Sequence, residues 1–397
     1  MIRKIIRMAV SAVGIAAAAV ITAVIWLDSS LPDSFYVSDP ASFSLSRYQM
    51  LSVERENIMQ VSRGDTALSS PAELKLGGVI PVKTVGLQQT EKRYLVPCGT
   101  PFGLKMTTDG VLVVGLSPVE SSAGTVCPAQ TAGLRKGDII TAVNGEELNS
   151  FEQLSDEVTS SDGRMVELMV SREGRELSFS MKPVRSVSGE FQCGIWGRDS
   201  SAGIGTVTFY DPVTGKFGGL GHGVCDADTG MLMPLAEGEI LPAVILDVVA
   251  GTAGTPGELQ GSFSGGFSTG TMLKNTLCGV FGLMRTAPSD ADAAEICLKQ
   301  DVKAGPAEIL ATVKGQTPAR YDIMIEKVSY SDLPARNLVI RVTDPDLLAE
   351  TGGIVQGMSG SPIIQNNRLV GAVTHVLVND PTKGYGIFIE NMLDAAG

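Results

Sequence analysis

The chain predicts a mainly β protein in three parts: an N-terminal membrane-spanning helix, a small α+β module, and a larger domain of two β-barrels. Three observations carry this reading. Residues 8–27 hold no charge, 46 glycines and 20 prolines cut the remaining chain into short runs, and beyond residue 185 those runs are β-like rather than helical in period.

The elements follow in order. The uncharged run Met8–Leu27 is 20 residues long, and at ~1.5 Å per residue it reaches across a ~30 Å hydrocarbon core. Arg3, Lys4 and Arg7 precede it and Asp28 follows, so its N-terminal end stays in the cytoplasm and the body lies outside. No small-x-small cleavage pattern follows Ile25-Trp26-Leu27, which favours an uncleaved signal anchor over 1–27. Residues 28–70, rich in Ser, Asp and Pro, read as a stalk with a short helix around 47–60 and as an exposed place for proteolytic nicking. The net charge of -12 argues against nucleic acid and leaves proteins and peptides as partners. Six scattered cysteines leave free thiols and disulfides both open. With two histidines and no Cys-x-x-Cys, neither a metal nor a cofactor is expected.

Residues 71–185 form the second part. Leu95-Val96-Pro97 and Gly110–Leu116 read as strands, and Ser121–Leu134 as a loop and short helix. Leu134-Arg135-Lys136-Gly137-Asp138-Ile139-Ile140 leads into Val143-Asn144-Gly145, an apolar strand ending in an Asn-Gly turn. Ser150 caps a helix bearing Phe151, Leu154 and Val158, and two strands meet at Glu173-Gly174. This order resembles a PDZ domain, a fold that adds a peptide as a strand and holds its carboxylate on loop amides. Phe102, Gly103 and Leu104 match that loop.

The chemistry sits in residues 186–397. Gly357-Met358-Ser359-Gly360-Ser361-Pro362 places a serine between glycines on a tight turn. It resembles the Gly-x-Ser-Gly-x-Pro signature of chymotrypsin-like serine peptidases, with Ser359 as nucleophile and the amides of Gly357 and Ser359 as the oxyanion hole. Ser361 is the rival serine, but proline follows it and restricts its backbone. A serine needs a base. His222, between Gly221 and Gly223, is the first choice, and His375, on the apolar run 373–377, is the reserve. A carboxylate must hold the imidazole in its useful tautomer. Asp344 is chosen over Asp346 because it follows a β run and precedes the serine turn, while Asp226 and Asp228 read as loop charges. Cys225 lacks a matching oxyanion turn.

Together with the membrane segment and the PDZ-like module, Gly203-Ile204-Gly205-Thr206, Leu220-Gly221-His222-Gly223 and Gly353–Pro362 resemble the stage IV sporulation protein B family of serine peptidases. Gly371–Val376 and Asn379-Asp380-Pro381 fit the same pattern. The resemblance covers nearly all of the folded chain and implies a triad of His222, Asp344 and Ser359. It also implies an enzyme in the space between forespore and mother-cell membranes that cleaves its own N-terminal region. Its further substrate is then a regulator that restrains an intramembrane metalloprotease, whose release matures a late sigma factor. The competing expectation is a non-catalytic PDZ adaptor that tethers a membrane partner.

Overall fold

The computed structural model describes residues 2–45, 48, 50–55, 69–263, 266–289, 291–330, 333 and 335–397. Helix α1 (Ile2–Ser30) contains the span Val10–Ser30, with a mean hydropathy of 2.3, long and apolar enough to cross a membrane by length and composition. Its side chains are mostly exposed until Leu27, which is buried in the body.

The stalk reading needs correction for its described part. Strands β1 (Ser34–Val37) and β2 (Leu51–Arg55) join β3 (Ser69–Leu76) and β4 (Ile80–Gln89) in one sheet ordered β1-β4-β3-β2. A strand therefore occupies 51–55, within the expected helix, and residues 56–68 lie outside the described residues. Phe35, Val37, Phe43 and Leu51 bury their side chains in a cluster shared with Ile309, Leu338 and Phe388, far along the chain. Their stability comes from that distant surface, and four- or five-residue strands leave little local period to read.

Strand β5 (Tyr94–Pro97) precedes β6 (Pro101–Leu116), α2 (Pro128–Ala132), β7 (Ile139–Val143), α3 (Phe151–Ser160), β8 (Val166–Arg172) and β9 (Arg175–Met181). The module forms as its turns dictate. Asn144 and Gly145 both have positive φ (52° and 88°), as a tight hairpin demands, and the Ser150 side chain accepts from the Gln153 N–H at the start of α3. Val111, Ile140, Leu154, Val158 and Leu168 make its core.

Two barrels follow. Strand β10 (Ile195–Tyr210) pairs with both halves of β6: Ile195 stands opposite Leu116 in the module, and Thr206 opposite Pro101 in the first barrel. With β11 (Lys216–Gly219), β12 (Leu235–Val249), β13 (Gly270–Thr276) and β14 (Gly279–Met284), pairing returns to β6 and closes a ring of six. Phe102, Leu104, Met106, Val207, Phe217 and Ile240 fill it. The second barrel closes in the order β15-β16-β17-β20-β19-β18, from β15 (Gly305–Ala311), β16 (Ala319–Val328), β17 (Leu338–Val342), β18 (Pro362–Gln365), β19 (Arg368–Val376) and β20 (Lys383–Phe388). Helices α4 (Pro345–Thr351) and α5 (Ile389–Ala396) complete it. The mainly β, double-barrel reading of the sequence holds.

Candidate active site

The serine turn lies where the second barrel meets the first. Gly357 and Gly360 have φ of 95° and 98°, and a Cβ at Gly360 would stand 2.0 Å from the Thr206 carbonyl oxygen, so glycine is required there. The first barrel grips this turn from the side. The Thr206 N–H donates to the Ser359 carbonyl (3.1 Å), its hydroxyl to that of Gly357 (2.8 Å), and the Thr208 hydroxyl to that of Gly360 (2.8 Å). Sequence reading quoted Thr206 in a motif without a role for it and missed Thr208. Their signal is two hydroxyls two residues apart in an apolar run, hence on one face of a strand.

The turn's own amides divide sharply. The N–H groups of Met358, Gly360 and Ser361 donate to Val355, Val373 and Met358 carbonyls. Among the described residues, the N–H groups of Gly357 and Ser359 have no hydrogen-bond partner. They are the two amides the sequence offers as an oxyanion hole. The Ser359 hydroxyl donates to the Thr374 carbonyl at 2.7 Å, so its resting position faces β19. Ser361 is fully buried, which removes it from contact with substrate.

His222 enters on a strained loop. Leu220 has φ 64° without being glycine, and Gly221 follows at 67°. The Leu220 side chain plugs into the first barrel's core, which holds that conformation in place. A Cβ at Gly221 would lie 3.0 Å from the Thr374 methyl, so the loop rests directly on β19 beside the Ser359 hydroxyl's acceptor. His222 Nδ1 stands 2.9 Å from the Gly223 carbonyl. With Nδ1–H donating there, Nε2 carries the free lone pair that a general base needs. The imidazoles of His222 and His375 lie against each other, with ring centroids 4.9 Å apart and tilted by 36°. Burial lowers the pKa of both. The Gly223 bond partly offsets this for His222, while His375 is lowered to about 4 by burial, by the neighbouring His222 and by Arg336. Both rings are therefore neutral at pH 7.

Two sequence expectations are corrected. Asp344 is the N-cap of α4: its carboxylate accepts from the N–H groups of Asp346 and Leu347, both at 3.0 Å, and of Asp322 at 3.3 Å, and it makes no hydrogen bond to His222. An Asp-Pro pair that ends a strand is also a strong helix start, and here the cap takes the side chain. Asp226 is buried and ion-paired with Arg198, which also pairs with Asp228 at 2.9 Å. The second correction concerns Phe102, Gly103 and Leu104. They lie inside β6, with Gly103 opposite Ile204 on one side and Leu241 on the other, and Phe102 is buried. Strand partners occupy both edges, so these amides are closed to a peptide carboxylate. A cavity of about 330 Å³ lies instead between α3 and the start of β10, lined among others by Phe151, Leu154, Val158, Ile195 and Trp196.

A model of the SpoIVB peptidase S55 family matches residues 189–393, just over half of the chain. The chain belongs to that family. It is a serine peptidase, and a PDZ-domain model matches residues 121–172. Among curated proteins, a Lactococcus lactis protein described as a zinc metalloprotease is 36% identical over 90 residues, 23% of this chain and 19% of its own length. The zinc metalloprotease RasP of Shouchella clausii is 43% identical over 54 residues, 14% of this chain and 13% of its own. This chain thus spans less than a fifth of either relative. Two crystal structures of the M. tuberculosis protein Rv3671c, an inactive mutant form and the active form of the protease, align at TM-scores of 0.27. They share 12% and 15% identity and cover 48% and 50% of this chain, and 79% and 75% of theirs. At that score the architecture rests on this chain's own strand pairings.

Proposed function

We propose that this serine peptidase is anchored by α1 outside the cytoplasm, with Ser359 as nucleophile and His222 as base. The observation that carries the assignment is the pair of partnerless amides at Gly357 and Ser359, beside a hydroxyl and a neutral imidazole on adjoining segments. In the reaction, Ser359 turns from the Thr374 carbonyl and gives its proton to His222 Nε2 as Oγ attacks the scissile carbonyl. The oxyanion settles between the two amides, each worth ~3 kcal/mol. His222 then protonates the leaving amine, and water hydrolyses the acyl-enzyme by the reverse proton path. The Gly223 carbonyl, rather than Asp344, orients the imidazole in this reading.

The resemblance extends the proposal to substrates: the chain's own N-terminal region first, then the extracytoplasmic part of a regulator that restrains an intramembrane metalloprotease during sporulation. A cut within 56–68 would leave β2 on one side and β3 on the other, two strands paired along 51–55. The groove between α3 and β10 is the place for a peptide on the PDZ module. Incubating the full chain in detergent, intact and as Ser359→Ala, with N-terminal sequencing of the products tests the catalytic core. Self-cleavage lost in the variant, with unchanged thermal unfolding, supports it. Equal cleavage by both proteins would end it.

A further inference from the structure

The hairpin between β3 and β4 carries an exposed apolar tip. Residues Leu76-Gly77-Gly78-Val79-Ile80-Pro81-Val82 hold no charge and are bracketed by Lys75 and Lys83. Val79 is 79% exposed, and Met50, whose carbonyl accepts from the Gly77 N–H, is 63% exposed. Gly77 and Gly78 make the turn with φ of 61° and 77°, and a Cβ at Gly77 would meet nothing within 4 Å. A solvent-facing turn of this kind ordinarily carries polar residues.

Its position relative to α1 gives the tip a partner. Strand β4 runs parallel to β1, with Gly86 opposite Ser34, just past the end of the helix. Lys83 Nζ donates to the carbonyls of Asp28 and Leu31 and pairs with Asp33, which sets Lys83 level with the last turn of α1. Ile80, the first residue of β4, lies three residues back, ~10 Å further toward the apolar part of α1 at ~3.3 Å per residue, and Val79 stands in the turn just before it. Ala23 and Val24 there are half-buried, while residues 10–22 of the same helix are almost entirely exposed. Ile25 and Trp26, exposed at 64% and 56%, add apolar surface at this end of the helix.

We infer that the hairpin tip Gly77–Pro81, whose flanking Leu76 and Val82 pack on the body, inserts into the lipid bilayer beside α1 and forms a second membrane contact. The partner is the hydrocarbon boundary of the membrane that α1 crosses. Lys75, paired with Glu54 and Glu73, and Lys83, paired with Asp33, mark the polar boundary of the tip at headgroup level. The contact fixes how the barrels stand over the membrane, and it lies on the body side of any cut within 56–68. The inference rests on α1 spanning the bilayer.

The test uses the full chain in phosphatidylcholine nanodiscs, in a Cys225→Ser background with Val79→Cys carrying an environment-sensitive fluorophore. Val213→Cys, at a position 90% exposed in the turn between β10 and β11, is the control, and the background protein corrects for labelling of the remaining thiols. The expected result is several-fold stronger quenching by lipid-borne spin labels at 79 than at 213, with protection from aqueous iodide at 79 alone. A Val79 label open to iodide overturns the inference. So does a label shielded from both quenchers, which marks contact with a second copy. Retention of the chain in vesicles after an alkaline wash reports on α1 separately, so failure of the anchor is told apart from failure of the hairpin.

Discussion

The serine barrel is one uninterrupted stretch of chain, whereas the histidine barrel borrows β6 from before the PDZ module and shares β6 and β10 with it. The serine turn hangs on short-range contacts within residues 355–373 and on three hydrogen bonds from Thr206 and Thr208. The histidine loop leads straight into residues 225–231, which the module holds from outside. Lys136 Nζ donates to the Asp228 carbonyl at 2.6 Å, and Arg198 pairs with both Asp226 and Asp228. Ser359 is built into a turn gripped by both barrels, while His222 sits on an element whose position depends on the neighbouring module.

Gly360 is where the hold of β10 on the serine turn is tightest. Gly360→Ala forces a methyl group against the Thr206 carbonyl at positive φ, so the turn must leave β10. A loss of peptidase rate above ~100-fold and of about 3 kcal/mol in stability is expected, measured by turnover of a peptide substrate and by denaturant unfolding. Retention of either within error would mean that the grip of β10 on the turn is dispensable.

Arg198→Ala sharpens the other half. It frees two carboxylates, one of them buried, and loosens the loop behind His222 without touching the serine barrel. The rate should fall about tenfold, with KM little changed and the unfolding temperature lower by a few degrees. An unchanged rate would separate the module from the base.

The histidine pair supplies a pH test. Folding holds His375 near pKa about 4, below the ordinary ~6.5 of an unfolded imidazole. The unfolded chain therefore binds more protons than the folded one between those values. Stability is full above ~6.5 and is lost as pH falls toward about 4. Thermal unfolding across pH 4–7 should show this slope, and His375→Gln should flatten it. The rate should likewise persist below the pH at which a free imidazole gains its proton.

The smallest effect belongs to Asp344. Asparagine keeps one acceptor oxygen for the cap N–H groups and loses only the bond from the Asp322 N–H, so Asp344→Asn should leave the rate nearly unchanged and cost less stability than the ~1 kcal/mol of Asp344→Ala. A rate loss of ~1,000-fold or more in the asparagine variant would restore Asp344 to the imidazole-orienting role.

Much of this architecture was legible before any coordinates. Turn chemistry is local, so Asn144-Gly145, Ser150 and Glu173-Gly174 announced their hairpins and helix cap. The Gly357–Pro362 turn was equally legible, since glycines at 357 and 360 answer a backbone demand within four residues. Phe102-Gly103-Leu104 misled because the same apolar run suits a binding loop or a strand. Only the arrival of β10 and β12 on its two edges decides. Residues 34–55 misled for a related reason: short strands draw their stability from a barrel wall hundreds of residues away.

The membrane-length helix, the run of short strands and the glycine-framed Ser359 turn follow from local sequence alone. These depend on composition and on contacts within a few residues. Tertiary structure alone decided that β6 and β10 each serve two domains, that Asp344 caps a helix, and that a carbonyl and a second imidazole surround His222. Each of those outcomes is a competition among distant partners for one hydrogen-bonding group or one strand edge, and such a competition is settled only when the chain has closed.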